Sequence, residues 1–328
     1  MYATGNKKML NMLILKILQQ YSDEQHALTQ QDIIKLLEVN YGMECDRRSV
    51  KSNVLSLKEM GYDIAMDKGY KLLTREFDDA ELRILIDSIL FLKSISTKQA
   101  KGIIENICKM ASTYFNAKVS HISNLPDLNR TMNKQAMYSL DAINDAIDEH
   151  KKISFIYNTV GTDLKLHPRR EEPYIVNPYQ IVANNNRFYL IGNYDKYDNI
   201  SHYRIDRMTE VRKLDEKIKP PKQVPEIKDG LNLPKHMAEH IYMFSGPSVE
   251  VKLKTSEDMI PQMDDWFGND FRITSVEDGK VTIRLRCNEK AMRYWALQYG
   301  PYVEVLEPLS LREQIKNDIK EMSEKYNV

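Results

Sequence analysis

Two neighbouring strand-like runs, RFYLIG (Arg187 to Gly192) and SHYRIDRM (Ser201 to Met208), concentrate residue types that bind anions. Arg187, Arg204 and Arg207 carry planar guanidinium forks that grip a phosphate through paired hydrogen bonds, while Tyr189 and Tyr203 offer stacking faces and hydroxyl donors to a base. Strand alternation divides the second run into two faces, His202, Arg204 and Asp206 on one and Tyr203, Ile205 and Arg207 on the other. Both sets line one pocket only if a bulge or the strand end turns Arg207 inward. In such a pocket Asp206 would orient an arginine while Arg204 meets the ligand. The competing reading is a half-exposed sheet whose polar face meets water. Tyr157, His167, Arg169 and Arg170 border the same surface, and for Arg169 and Arg170 a solvated face is an equal reading. His167 and His202 read as ordinary surface histidines, not as metal ligands.

These runs need a sheet to hold them. After Lys151-Lys152 the hydrophobic period shortens: ISFIY alternates, DLKLHP is a short strand, and EEPYIVNPYQIVANNNRFYLIGNY gives two strands joined at Asn184-Asn185-Asn186. SHYRIDRMTEVRKL supplies the last strands. Several short strands in so few residues point to a small barrel, which closes its own edges. Lys152 to Lys213 holds ten Lys/Arg against seven Asp/Glu, so the segment is mildly basic.

The chain as a whole is electrically neutral, with 47 Lys+Arg and 47 Asp+Glu, so only local patches speak about a nucleic-acid partner. Its 328 residues, 42% hydrophobic and 29% charged, describe a globular protein of two or three domains. Cys45, Cys108 and Cys287 are far apart, without CxxC or CxH spacing, which argues against structural zinc and disulfides and suits a reducing cytoplasm. The apolar run MLNMLILKIL (Met9 to Leu18) is interrupted by Asn11 and Lys16 and is too short to span a bilayer. A cytoplasmic protein with no membrane partner is expected.

In the first seventy-five residues Leu10, Leu13, Ile14, Ile17 and Leu18 recur at helical spacing, and Thr29 and Asp32 cap a second helix that Gly42 stops. Asp46 caps a third, CDRRSVKSNVLSLKEMGY, which ends at Gly61. Val50, Val54, Leu57 and Met60 share its buried face, while Arg47, Arg48, Lys51 and Ser52 project outward, and Leu55 also faces out. YDIAMDKGYKLL then alternates around Asp67-Lys68-Gly69 as a hairpin. Three helices and a hairpin make a winged helix-turn-helix, whose third helix enters the major groove while the wing, with Lys68 and Tyr70, touches phosphates. Arg47, Arg48, Ser49, Lys51 and Ser52 are the expected contacts to double-stranded operator DNA.

The segment DRRSVKSNVLSLKEMGYDI resembles the recognition helix of DeoR-type winged regulators that carry a WYL domain, through Arg47, Arg48, Ser49, Val50, Asn53, Val54 and Leu57. Lys51 and Ser52 depart from it, so the target sequence does not carry over. The strand-rich region resembles the WYL domain, an SH3-like barrel, with Phe188-Tyr189-Leu190 in place of Trp-Tyr-Leu, Pro178-Tyr179 upstream and Tyr203 to Met208 downstream. That resemblance implies a ligand-sensing site for a nucleotide or single-stranded nucleic acid, built from Arg169, Tyr179, Arg187, Tyr189, His202, Tyr203, Arg204, Asp206 and Arg207. Beyond prolines 220, 221, 225 and 234, the pattern strand, helix, strand, strand, helix, strand predicts a ferredoxin-like sandwich ending in a helix. Glu277-Asp278-Gly279, Tyr299-Gly300 and Val303 to Pro308 resemble the C-terminal WCX extension of WYL regulators.

The expected fold is therefore multidomain α+β. A winged helix-turn-helix spans 1–75, a helical linker and dimerisation segment 76–135, and the SH3-like WYL barrel 136–218. A connector spans 219–245 and the ferredoxin-like WCX domain 246–328. Within the linker, helices start at Asp78 and Thr97 and 118–133 reads as loop; beyond it Met137, Leu140, Ile143 and Ile147 mark a further helix. The expected function is a homodimeric DNA-binding transcriptional regulator that answers an anionic effector. The alternative is an accessory protein binding single-stranded RNA or DNA as its output. An enzyme is not expected, since no phosphate-binding Gly loop, GxSxG elbow or Cys/His pair occurs. HMAEH (His236 to His240) puts two imidazoles on one helical face, but it is not HExxH and supports neither a metal site nor a cofactor.

Overall fold

The computed structural model describes residues 7–119 and 130–327, which divide into two compact units, 1–131 and 132–328. The first unit opens with three helices, α1 (Leu10–Tyr21), α2 (Gln30–Tyr41) and α3 (Arg47–Glu59), followed by a hairpin of β1 (Ile64–Ala65) and β2 (Lys71–Leu72). Thr29 and Asp32 form a reciprocal capping box on α2, and Asp46 accepts from the Ser49 amide at the start of α3. Ile14, Ile17 and Leu18 of α1 meet Ile33 and Leu37 of α2 and Val50, Val54 and Leu57 of α3 in one apolar core. That shared core fixes α3 with its cationic side outward.

The hairpin is tied to the helices by polar groups as well as by packing. Ser22 is fully buried; its hydroxyl donates to Leu18 O at 2.7 Å and accepts from the Leu72 amide at 3.1 Å. Arg75 donates to Gln19 O at 2.7 Å and Ser22 O at 2.5 Å, satisfying carbonyls at the end of α1. Gly69 has φ +117, and a Cβ there would stand 2.9 Å from Leu28 O, so the turn needs glycine. The first unit continues with α4 (Asp79–Phe91), α5 (Thr97–Cys108) and α6 (Thr113–Val119). Leu82, Ile86, Ala111 and Phe115 make a small core among them. The sequence pattern did not single out α6, which docks by stacking Tyr114 on His26 at 3.6 Å. Of the loop expected at 118–133, residues 120–129 lie outside the described residues.

The second unit begins with α7 (Ala136–Asp148) and a curled antiparallel sheet of six strands: β3 (Lys151–Val160), β4 (Leu166–Pro168), β5 (Tyr174–Asn184), β6 (Arg187–Tyr194), β7 (Ile200–Arg204) and β8 (Met208–Lys217). Their order is β4-β3-β5-β6-β7, with β8 returning to pair with β3. Asn185 and Asn186, at φ 47 and 59, form the two-residue turn between β5 and β6 that a tight hairpin of this hand requires. Inside the curl Phe155 stacks on Tyr174 at 5.7 Å and meets Tyr203 edge-on at 5.4 Å, against Ile143 and Ala146 of α7. A connector helix, α8 (Leu233–Glu239), leads to β9 (Ser248–Ser256), α9 (Ile260–Phe267), β10 (Phe271–Glu277), β11 (Lys280–Asn288), α10 (Glu289–Gln298), β12 (Glu304–Glu307) and α11 (Leu309–Tyr326). These four strands make a second antiparallel sheet in the order β10-β11-β9-β12. Its core holds Trp295 and Phe267, rings 5.2 Å apart.

Among the described residues, no helix is long and apolar enough to cross a membrane. Replacing Ser22 by Ala strips the buried Leu72 amide of its acceptor, and the expected cost is about 1–3 kcal/mol. Urea unfolding followed by helical circular dichroism checks this, with fluorescence of Trp266 and Trp295, both in the second unit, as an internal reference. An unchanged circular dichroism midpoint would rule the clamp out.

Candidate anion-binding site

Strands β6 and β7 run antiparallel with Tyr189 opposite Arg204 and Ile191 opposite His202. Alternation therefore puts Arg187, Tyr189 and Ile191 on the same sheet face as Arg204 and His202, while Leu190 and Tyr203 turn into the aromatic core. Strand β7 ends at Arg204, and residues Ile205–Arg207 wind into a single 3-10 turn before β8 starts at Met208. That turn answers the alternation problem. It buries Ile205 in the core, returns Asp206 beneath the arginines, and carries Arg207 round to within electrostatic reach of Arg187 and Tyr157.

The turn is held by two buried amides. Asn133 Nδ2 donates to Asp206 O at 3.2 Å and Met208 O at 2.6 Å, and Asn158 Nδ2 donates to Arg207 O at 2.9 Å. Asp206, 4% exposed, accepts from Arg187 Nη1 at 2.7 Å and from Arg204 through both Nε at 3.0 Å and Nη2 at 2.7 Å. The Tyr157 hydroxyl accepts from the Arg204 amide at 3.1 Å, and Arg169 lies over the Tyr157 ring at 5.3 Å. Two guanidinium groups thus share one carboxylate, with Arg207 in electrostatic reach of Arg187 and Tyr157 and Arg169 over the Tyr157 ring.

The charge imbalance registers in the groups themselves. Burial and repulsion from Arg204 pull Arg187 below the ordinary arginine range. Burial also opposes the charge on Arg204, but its hydrogen bonds and ion pair with Asp206 outweigh this and raise it. One carboxylate satisfies Arg204 and leaves Arg187 underpaid in charge, while Arg207 Nε is buried without a hydrogen-bond partner. An anion supplying two or three acceptor oxygens could reach the partly exposed guanidinium groups of Arg187 and Arg204 and offset their excess positive charge. Burial pushes the Tyr157 and Tyr189 phenols up, so both remain neutral donors at physiological pH.

Arg169, Arg187, Tyr189, Arg204, Asp206 and Arg207 are brought together; three of the expected residues are not. Tyr203, 7% exposed, is part of the aromatic core. Tyr179 donates its hydroxyl to Lys219 O at 2.8 Å and lines a separate cavity of about 460 Å³ beside Pro220 and Leu231. His202, expected at the surface, is 9% exposed and packs against His236 and His240. Arg170 stacks on Tyr174 at 3.7 Å and binds the Glu172 and Pro173 carbonyls, which gives it a packing role. Sequence reasoning missed Asn133 and Asn158, because a lone asparagine outside a motif carries no signal of the carbonyls it will meet.

In the first unit Arg47, Arg48, Lys51 and Ser52 are exposed along the outer side of α3, with Leu55 beside them at 44% exposure. Ser49 is half-buried, its hydroxyl donating to Asp46 at 3.0 Å. Lys68 is exposed at the hairpin tip. Tyr70 is not available there: it is 6% exposed, and its hydroxyl accepts from Gln30 at 2.9 Å.

A comparison with curated proteins returns no match. Among solved structures the chain is similar to the proteasome accessory factor B/C (PafBC) of Arthrobacter aurescens, with 14% identity and a TM-score of 0.31 over 98% of this chain; it spans about half of that protein, 49% of its length. It is also similar to a CRISPR Cas-related protein, with 15% identity and a TM-score of 0.42, covering 80% of this chain and 75% of that one. Residues 139–213 match the WYL domain and residues 247–323 match the WCX domain. The turn Ile205–Arg207 lies within the first of these segments, and the chain carries a WYL domain followed by a WCX domain.

Proposed function

We propose that the chain is a cytoplasmic DNA-binding transcriptional regulator whose WYL domain senses an anionic effector, a nucleotide or a single-stranded nucleic acid. The observation that carries this reading is the pairing of Arg187 and Arg204 on the single carboxylate of Asp206, with Arg169 and Arg207 beside Tyr157 at the same surface. An effector phosphate meets the partly exposed guanidinium groups of Arg187 and Arg204, and Tyr189 offers its ring to a base. In this reading the first unit is a winged helix-turn-helix with α3 as its recognition helix, the curled sheet is an SH3-like barrel, and the C-terminal sheet is ferredoxin-like. Two copies acting as a homodimer would meet an inverted-repeat operator. The effector shifts operator affinity only through tighter binding to one arrangement of the dimer than to the other.

The exposed basic side of α3 favours duplex binding as the output. Changing Arg47, Arg48 and Lys51 together to Ala should weaken binding to the chain's own upstream DNA by about tenfold or more and flatten its salt dependence by two to three units of slope, since each lost phosphate contact releases fewer counterions. Fluorescence anisotropy over a salt series reads both. Undiminished affinity removes α3 from the interface.

Arg187→Ala and Arg204→Ala probe the sensor. Each should abolish binding of a short single-stranded oligonucleotide to the full chain and leave duplex binding without effector intact. Should single-strand binding survive both substitutions, the arginine cluster is not the sensor. Loss of single-strand binding by a protein that never binds duplex DNA would instead favour an accessory protein whose output is single-strand binding.

A further inference from the structure

His202 sits on β7, on the sheet face that also carries Arg204. His236 and His240 are four residues apart on α8 and its C-terminal cap, so both project from one side of the helix. The fold closes the sequence gap between them. His202 Nε2 stands 2.8 Å from His236 Nε2, the His236 and His240 rings stack at 4.2 Å, and the ligating nitrogens of all three lie within 4.8 Å of one another. The three imidazoles are nearly enclosed, at 9%, 9% and 6% exposure.

Three converging imidazoles are one more than a simple hydrogen-bonded pair requires. His240 Nδ1 faces His236 O at 2.9 Å, which fixes that nitrogen as the protonated one and leaves Nε2 with a free lone pair. His202 Nδ1 is buried and faces the Phe244 backbone, which leaves Nε2 as its outward nitrogen toward His236. A route to the site exists, since His236 and His240 line a cavity of about 440 Å³ with Glu226, Asn232, Glu239 and Arg286. Nitrogens bound to one tetrahedral zinc ion stand about 3.3 Å apart, so the His202–His236 pair needs to open by only about half an ångström.

We propose that His202, His236 and His240 form a binding site for a divalent transition metal of the zinc type, which ties β7 of the WYL domain to the connector helix α8. Three neutral imidazoles with a fourth position open to the cavity suit zinc, cobalt or nickel and give magnesium or calcium nothing they favour. Neither partner segment holds the ion alone: α8 supplies two ligands and β7 completes the set. The metal thereby fixes the backbone two residues before Arg204, at the edge of the arginine cluster.

The test uses full-length protein without a polyhistidine tag, with Cys45 and Cys108 replaced by Ser to remove the partly exposed thiols as competing ligands. After equilibration with zinc sulfate and desalting, elemental analysis should find about one zinc per chain. His202→Ala and His240→Gln should each reduce retained zinc by about tenfold or more. Added zinc should raise the melting temperature of the parent protein and not that of either variant. Circular dichroism shows whether the variants fold; if neither does, cobalt(II) bound to the parent protein decides, since tetrahedral imidazole ligation gives intense visible bands without thiolate charge transfer. Absence of zinc from the parent protein, zinc retained by the histidine variants, or cobalt spectra of six-coordinate character would each overturn the site.

Discussion

The ion pairing of Asp206 governs how the second unit presents its chemistry. A carboxylate this enclosed is costly unless its charge is met by partners of good geometry. Arg187 reaches it from β6 and Arg204 grips it with two nitrogens from the end of β7. The carboxylate can occupy that place only because the backbone leaves the strand conformation after Arg204, and the amides of Asn133 and Asn158 fix the departure by holding three successive carbonyls. One buried charge therefore orients two arginines, and one turn places a third beside them.

The same sheet face carries two chemistries in adjacent rows. The Tyr189–Arg204 pair leads to the guanidinium cluster, and the Ile191–His202 pair leads to the three imidazoles. Tyr203 alone separates Arg204 of the guanidinium cluster from His202 of the imidazole cluster along β7. The connector helix α8 lies at the histidine end and leads on to the WCX domain, which gives the sheet a direct mechanical link to the C-terminal module.

In the first unit the ordering principle is apolar, with polar clamps where the chain turns. The helices α1 to α3 share one core, and that core decides which side of α3 faces out. Ser22 and Arg75 then fix the hairpin to the end of α1 through groups that would otherwise be buried without partners. The cationic stripe on α3 and Lys68 at the hairpin tip are left exposed to solvent.

Much of this was legible from local pattern. Apolar residues at helical spacing, capping pairs such as Thr29 with Asp32, and the Asn185-Asn186 turn report local preferences, and the elements appear where those signals fall. Short-range periodicity assigned Arg204 and Arg207 to opposite faces, which holds for an unbroken strand and fails where the 3-10 turn intervenes. It also read Tyr203 and His202 as surface groups, whereas the closing of the sheet and the docking of α8 bury both. Those outcomes depend on contacts between residues tens of positions apart, such as Asn133 with Met208 or His202 with His236. No local preference encodes such pairs. The amino-acid sequence thus determined the elements and the supply of arginines, tyrosines and histidines, because both follow from nearest-neighbour chemistry. Tertiary structure alone decided which of them share a site, because burial and convergence exist only once the chain has folded.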